Sequence, residues 1–478
     1  MTEEYKSLPY ETVEKCCRSD ESTAEQLLAR AMEGFHKKIV VLDDDPTGVQ
    51  TVHDISVYTN WTKDSIAKGF AEENKLFYVL TNSRGFTSAQ TEKAHREIAK
   101  VVDEVSKETG KEYIFISRSD STLRGHYPLE TMLLKEEYEK NTGKKIDGEI
   151  LCPFFKEGGR YTIGDVHYVK YGDDLIPAAE TEFAKDKTFG YTSSNMKEYV
   201  EEKTKGAYKA EDVTAISLED IHAMNLDKIE EQLMAVENFN KIIVNAIDYV
   251  DIKVFCIALY RAMAKGKVFM FRTAAAIVKV MGGVSSIPLL TREQMVVKET
   301  ENGGIIVVGS HTEKTTKQVE MLKENKQIEF VELDATLVKD EEAFEKEVER
   351  CLSLEESYIA AGKTVCVYTT RALITADTGD KEDDLRLAVK ISDAVQSLVG
   401  RLTIVPSFVI AKGGITSSDV GTKALAVQKA NVLGQIKPGI PVWQTGEESK
   451  FPLTPYVIFP GNVGEVSTLK EAAEVLMK

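Results

Sequence analysis

The sequence predicts an α/β fold of two domains, each with a mostly parallel sheet flanked by helices, and three observations carry that expectation. Short apolar runs recur along the chain, and each stops abruptly in polar and glycine residues, as buried parallel strands do at their carboxyl ends. Helical segments such as Ser88–Lys107 lie between them. A polar stretch, Leu290–Gly303, ends in Glu-Asn-Gly-Gly and divides one series of runs from a second.

An arm, residues 1–37, precedes the first run. Its helix is expected from the capping-box spacing of Ser22 and Glu25, after which Ala24, Leu27, Leu28, Ala31 and Phe35 share one face. Lys38–Leu42, Leu76–Leu80, Tyr113–Ile116 and Ile150–Cys152 then read as strands, and Lys241–Ala246 and Val268–Phe271 complete a sheet in a domain of residues 38–295. Glu180–Leu226 is more polar and reads as an insertion or covering segment. In the second domain, residues 303–478, the strands are Gly304–Val308, Ile328–Leu333, Thr364–Tyr368, Phe408–Ala411 and Tyr456–Phe459, with helices at Thr315–Glu324 and Glu341–Leu354.

Composition narrows the function classes. With 42% hydrophobic and 29% charged residues over 478 positions, the chain can bury cores and is not a disordered one. Lysine and arginine number 60 against 77 acids, a net charge of −17, so the surface repels nucleic acid and an anionic ligand must be held by a few placed cations. The six cysteines form no Cys-x-x-Cys pair, and adjacent Cys16 and Cys17 suit neither a zinc knuckle nor an ordinary disulfide, so reduced thiols are expected. The start, Met-Thr-Glu-Glu-Tyr, is no secretory signal, and Val254–Phe271 is broken by Arg261, Lys265 and Lys267 and is no membrane span. A cytoplasmic protein without nucleic-acid or membrane partners is expected, and a homo-oligomer is compatible with the sequence.

Several familiar motifs are missing. Gly362-Lys363-Thr364 lacks the earlier glycine of a P-loop, having Ser357 there, and it precedes a strand instead of following one. No dinucleotide fingerprint, zinc-protease helix or nucleophile elbow occurs. Six loops are more informative. Asp43-Asp44-Asp45-Pro46-Thr47-Gly48 crowds three carboxylates, which repel unless a cation or a reacting hydroxyl shares the place; it reads either as a capped turn or as a base or metal-binding acid. Arg118-Ser119-Asp120-Ser121-Thr122-Leu123-Arg124-Gly125 brings guanidiniums, an acid and hydroxyls together, with Arg84 as a further cation, a plausible cradle for a small polyhydroxy anion. Gly158-Gly159-Arg160-Tyr161-Thr162 reads as another flexible arginine loop. In the second half, Gly309-Ser310-His311-Thr312, Lys412-Gly413-Gly414-Ile415-Thr416 and Pro460-Gly461-Asn462-Val463-Gly464 are glycine turns where backbone can approach a phosphate.

On Asp-Asp-Pro-Thr-Gly at 44–48, Ser-Asp-Ser-Thr-Leu-Arg-Gly at 119–125, Gly-Arg-x-Thr at 159–162, Gly-Ser at 309–310, Gly-Gly-Ile-Thr at 413–416 and Pro-Gly-Asn-Val-Gly at 460–464, the chain resembles the four-carbon acid sugar kinase family. The resemblance implies a sugar-acid-binding N-terminal domain and an ATP-binding C-terminal domain, with the active site in the cleft between them and the γ-phosphoryl group passing to a terminal hydroxyl. Asp44, Arg84, Ser121 and Arg124 would then meet the substrate, Asp45 and Asp120 would be the catalytic acids, and Ser310, Gly413, Gly414, Ile415, Thr416 and Gly461 would hold ATP. Mg²⁺ is expected with ATP, its ligands unassigned. Arg118, where many relatives carry lysine, the segment Val49–Asp54 and the arm depart from the family pattern. The competing readings are a sugar-acid sensor without transfer activity and an ATP-dependent carboxylate ligase.

Overall fold

A computed structural model describes residues 5–477 apart from Cys17, 372–373, 376–380 and Asn462. The chain divides into two compact units, Met1–Gly48 with Asn60–Ser285, and Val49–Thr59 with Ser286–Lys478. Both are α/β, as the alternation of apolar runs and amphipathic segments predicts.

In the first unit seven strands lie in the order Thr214–Ile216, Asn240–Val244, Gly148–Cys152, Phe269–Thr273, Tyr113–Arg118, Lys38–Asp43 and Leu76–Leu80, every pairing parallel. Ile39, Val40, Val41 and Leu42 are buried, as a strand covered on both faces by helices requires. The helix Ser88–Thr109 starts at a capping box, Thr87 with Gln90, buries Ala94, Ile98 and Val102, and stops at left-handed Gly110. Between Ile150–Cys152 and the next parallel strand, the chain makes a separate antiparallel sheet from Arg160–Ile163, Val166–Tyr171 and Asp174–Pro177. The arm completes this sheet, because Leu8–Pro9 pairs with Asp174–Pro177. Its helix runs Glu21–Glu33 and is capped by Asp20, which accepts from the Thr23 amide, two residues earlier than the Ser22 box predicts. An ionised aspartate is the better cap acceptor beside the positive end of the helix.

Among the described residues the second unit has five parallel strands, in the order Pro455–Phe459, Val409–Lys412, Ile305–Val308, Thr364–Thr369 and Ile328–Leu333. Antiparallel strands Ile440–Thr445 and Lys429–Lys437 extend it beyond Pro455–Phe459. The far strand, Ile55–Tyr58, comes from the N-terminal part of the sequence and pairs antiparallel with Lys429–Lys437, Ile55 opposite Val432 and Tyr58 opposite Lys429. Residues 49–59, which the sequence reading gives to the first domain, are thus built into the second unit; Gln50 Nε2 also donates to the Gly439 carbonyl at 3.1 Å. The core here gathers Ile306, Val308, Phe408, Ile410, Val457 and Phe459 with residues of the last helix, Thr468–Leu476. Among the described residues no helix is long and apolar enough to cross a membrane.

Candidate functional site

The carboxyl ends of the parallel strands in the first unit carry the charged loops, where ligands of open α/β sheets bind. Parallel register sets Asp43 opposite Arg118 on one neighbouring strand and Leu80 on the other. Arg118 Nη1 lies 3.1 Å from Asp43 Oδ1 and 3.8 Å from Asp44 Oδ1, with all three side chains buried. Gly48 packs directly on the Asp43 carboxylate: a Cβ there would fall 2.0 Å from Oδ2, so only glycine closes the turn. Burial raises Asp43 to about 7, against the pull of Arg118.

The next two carboxylates are tied by Arg84, from the short helical turn Ser83–Gly85. Its Nη2 and Nε donate to Asp44 Oδ1 and Oδ2 at 2.7 and 3.2 Å, and Nη1 donates to Asp45 Oδ2 at 3.2 Å. Asp45 Oδ1 accepts the Thr47 amide at 2.8 Å. Burial opposes ionisation of Asp45, but Arg84 and Thr47 outweigh it and hold the carboxyl below its ordinary range. At 15% exposure its side chain is the most accessible of the three acids, against 1% for Asp43 and 3% for Asp44.

The 119–125 loop is fixed from within and from below. Arg124 Nε donates to Asp120 Oδ2 at 2.7 Å, Thr122 Oγ1 donates to the same oxygen, and these partners with Arg84 hold Asp120 far down despite its burial. His167, fully buried, sets its Nε2 2.8 Å from the Ser121 carbonyl and its Nδ1 3.0 Å from Thr162 Oγ1, which ties the loop to the antiparallel sheet. Burial lowers His167 to about 4, so a neutral ring performs this task at neutral pH. The Ser121 hydroxyl has no protein partner among the described residues.

Arg84 and Arg124, expected to face a substrate, are therefore bound to protein carboxylates. Arg160, expected in a flexible loop, instead opens the strand Arg160–Ile163 and is held in place by its backbone pairing with Phe155. Its guanidinium lies 5.5 Å from the Phe183 ring centre, Arg124 lies 5.1 Å from the same ring, and Arg160 Nε is buried with no hydrogen-bond partner. Two cations flank one ring while Asp120 is committed to one of them, so this place favours an added anion. Arg272, at the end of Phe269–Thr273, was not singled out by the sequence. Its Nη2 donates to the Arg124 carbonyl at 2.8 Å, while its Nε and Thr273 Oγ1 are buried without partners. Both residues line, with Asp120 and Tyr199, a cavity of about 10 Å³, room for one water. An arginine inside an apolar strand just before a loop, Phe-Met-Phe-Arg-Thr, was the available signal.

In the second unit the glycine turns do come together. Gly413 follows Val409–Lys412 with φ 122°, a value that excludes side chains, and a Cβ on it would meet Ser310 Cβ at 3.2 Å and Thr416 Oγ1 at 3.3 Å. A Cβ on Gly461 would have only Ser310 Oγ, at 3.7 Å, and the Gly413 Cα, at 4.0 Å, near it, so packing does not demand glycine there. Ser310, Gly413, Thr416 and Gly461 are thus neighbours, with Gly414 and Ile415 beginning the helix Gly414–Asp419. Ile415 is 73% exposed, an apolar side chain left in the open beside the turns. Asn462, part of the third turn, lies outside the described residues. Buried Lys412, which the sequence places at the head of this turn without a role for its side chain, donates from Nζ to the Pro460 and Gly461 carbonyls at 2.6 and 3.2 Å. Lys363 is remote from this chemistry and pairs with Glu329 at 2.6 Å.

No group of three or more histidines, cysteines and carboxylates able to hold a metal ion occurs among the described residues. Chains of known structure share the architecture. The Haemophilus influenzae protein HI1011, of the DUF1537 family model, is 17% identical with a TM-score of 0.59, the match covering 92% of this chain and 100% of that one. A Salmonella typhimurium LT2 protein provisionally named a tRNA synthase is 15% identical with a TM-score of 0.64, covering 91% of this chain and 98% of that one. No curated protein sequence matches. Residues 39–281 match the family model of a sugar-binding N-terminal domain, and residues 305–469 match that of a nucleotide-binding C-terminal domain. With the acid and arginine loops inside the first match and the glycine turns inside the second, the chain belongs to the four-carbon acid sugar kinase family.

Proposed function

We propose that the protein is an ATP-dependent kinase that phosphorylates the terminal hydroxyl of a four-carbon sugar acid of the threonate, erythronate or 3-oxo-tetronate type. The observation that carries this reading is the state of the first unit's loop cluster. It presents an unpartnered guanidinium, an unpartnered hydroxyl and an ionised carboxylate, in a domain of sugar-binding type on a chain that also has a nucleotide-binding domain. A small hydroxy acid asks for those three groups.

In this reading Arg160 binds the substrate carboxylate, a change from the Arg124 and Arg84 expected from sequence, and Ser121 bonds a substrate hydroxyl. Asp45 orients the attacking hydroxyl and receives its proton. A carboxylate kept ionised suits this, because phosphoryl transfer passes through a loose transition state and asks mainly for positioning. Asp120 and Asp44 hold the arginines that shape the site. Bound as its magnesium complex, ATP supplies the phosphoryl group. Ser310, Gly413, Gly414, Thr416 and Gly461 would hold its phosphates by close backbone approach, and exposed Ile415 would cover an apolar part of the nucleotide. Asp45, the most open of the three acids, is the residue here that could also touch the metal, since Mg²⁺ on a nucleotide needs only one or two protein carboxylates.

The test is ATP consumption across a panel of four-carbon sugar acids, with the mass of each product measured. A phosphorylated sugar acid is expected, and Asp45→Asn should lower kcat by roughly 10²–10⁴ in a folded protein. An amide or thioester product would make the protein a ligase, and ligand binding without any product would make it a sensor.

A further inference from the structure

Away from these loops, the arm sets a cysteine against a histidine that is itself held by a carboxylate. Cys16 Sγ lies 3.8 Å from His222 Nδ1, and His222 Nε2 lies 3.1 Å from Asp251 Oδ1. Asp251 is fully buried, and its other oxygen accepts the Ile247 and Asp248 amides at 2.8 and 3.0 Å. A carboxylate that accepts two amides is acceptor-only, so it takes the proton on Nε2 and leaves the Nδ1 lone pair turned to the thiol. The arm is anchored just beyond this contact: Ser19 Oγ donates to the Ile221 carbonyl at 2.9 Å, and Arg18 Nε lies 3.1 Å from Asp248 Oδ2. The order thiol, imidazole, carboxylate is that of an activated nucleophile, recognised by geometry and roles whatever the fold. With the imidazole between its two partners, the group is not arranged around a common metal position.

We propose that Cys16, His222 and Asp251 form a nucleophilic thiol site that reacts with small hydroperoxides. His222 Nδ1 takes the thiol proton. The sulfur forms a bond to the terminal hydroxyl oxygen of the hydroperoxide, the O–O bond breaks, and its electron pair leaves on the other oxygen. His222 returns the proton to that oxygen, which departs as water or an alcohol. Cys16 becomes a sulfenic acid, oxidised by two electrons, and the hydroperoxide is reduced by two. Acyl transfer would need donors for an oxyanion as well, and the amides of Ile247 and Asp248 are spent on Asp251. Peroxide chemistry needs only the thiolate and a proton returned to the leaving oxygen.

The other described cysteines make a sharp internal comparison. Cys152, Cys256, Cys351 and Cys366 are buried, whereas Cys16 is partly exposed. Burial pushes Cys152, Cys351 and Cys366 up to about 12, which leaves them inert as nucleophiles. Cys17 lies outside the described residues and must be separated by mutation.

The test treats the full-length Cys17→Ser protein with limiting hydrogen peroxide, traps sulfenic acid with dimedone and maps the label by mass spectrometry. Label is expected on Cys16 and not on the buried cysteines, and His222→Asn should slow labelling about tenfold or more without changing the circular dichroism. The pH profile of iodoacetamide alkylation gives a second reading: His222→Asn should shift the onset of reaction at Cys16 to higher pH, which a purely structural histidine would not do. Cys16→Ser in an otherwise unchanged chain should remove the same label. Labelling of Cys16 at an unchanged rate in His222→Asn, or label found chiefly on the buried cysteines, overturns the proposal.

Discussion

Arg84 reaches Asp44 with two nitrogens at once, Nη2 to Oδ1 at 2.7 Å and Nε to Oδ2 at 3.2 Å, and keeps Nη1 for Asp45. Asp44 is 3% exposed, so water cannot replace the arginine if it is lost. Arg84→Ala should therefore cost about 3–5 kcal/mol in chemical denaturation, the usual cost of leaving a buried charge uncompensated. Arg84→Lys keeps the charge without the fork and should fall between that variant and wild type. A loss below about 1 kcal/mol for Arg84→Ala would mean that Asp44 is neutral or otherwise satisfied.

Arg160 and Arg124 face the same phenylalanine but should respond differently to truncation. Arg160 Nε has no hydrogen-bond partner among the described residues, so Arg160→Ala should leave stability nearly unchanged and cut kcat/KM on sugar acids by about 30-fold or more. Arg124→Ala deprives Asp120 of its ion pair and should show first as lost stability. Steady-state kinetics with a neutral sugar alcohol of the same length provide the control, since no carboxylate is there to lose.

The nucleotide turns should show a pH dependence set by Lys412. Burial, with Lys314 adding repulsion, lowers this amine from 10.5 to about 7. Between those values the unfolded chain holds a proton that the folded chain has released, so stability rises with pH across the window. Below about 7 both states are charged, and the native state bears the full cost of the buried ammonium. Thermal melts of Lys412→Met should lose this slope and gain most, relative to wild type, on the acid side. Nucleotide binding by the variant should weaken at every pH, because the Pro460 and Gly461 carbonyls lose their donor. An unchanged slope would place the titration elsewhere.

Glu355, inside the helix Glu341–Ala360, is fully buried with neither side-chain oxygen hydrogen-bonded among the described residues. Burial raises its carboxyl well above 4.5, so the native state keeps a proton that the unfolded chain gives up, and stability falls as pH rises from that value. Glu355→Met should gain about 1–3 kcal/mol near neutral pH and little in acid, by urea denaturation at both. A loss of stability at neutral pH would show that the carboxyl has a partner in solution.

Much of the architecture follows from local pattern alone. Leu76–Leu80 and Ile328–Leu333 have the predicted bounds: the first is a continuous apolar run, buried throughout, and the second is an edge strand whose Ile328, Val331 and Leu333 are buried while Glu332 is exposed. Two strands are harder to read: Lys429–Lys437 alternates buried and partly exposed positions, and Ile55–Tyr58, though fully buried, has only four residues and a partner more than three hundred positions away. No local signal could assign that strand to the second unit, since only pairing decides it. Which residue types meet at the strand ends, carboxylates with guanidiniums in one half and glycines with hydroxyls in the other, is written in the chain, because parallel strands deliver their loops to one edge. Which cations remain for a ligand was decided by tertiary structure. Arg84, Arg118 and Arg124 are taken up by Asp44, Asp43 and Asp120, whereas Arg160 stands on a strand of another sheet beyond their reach. A guanidinium's role depends on whether a carboxylate comes within about 4 Å of it, and that distance is set by packing between segments far apart in the chain.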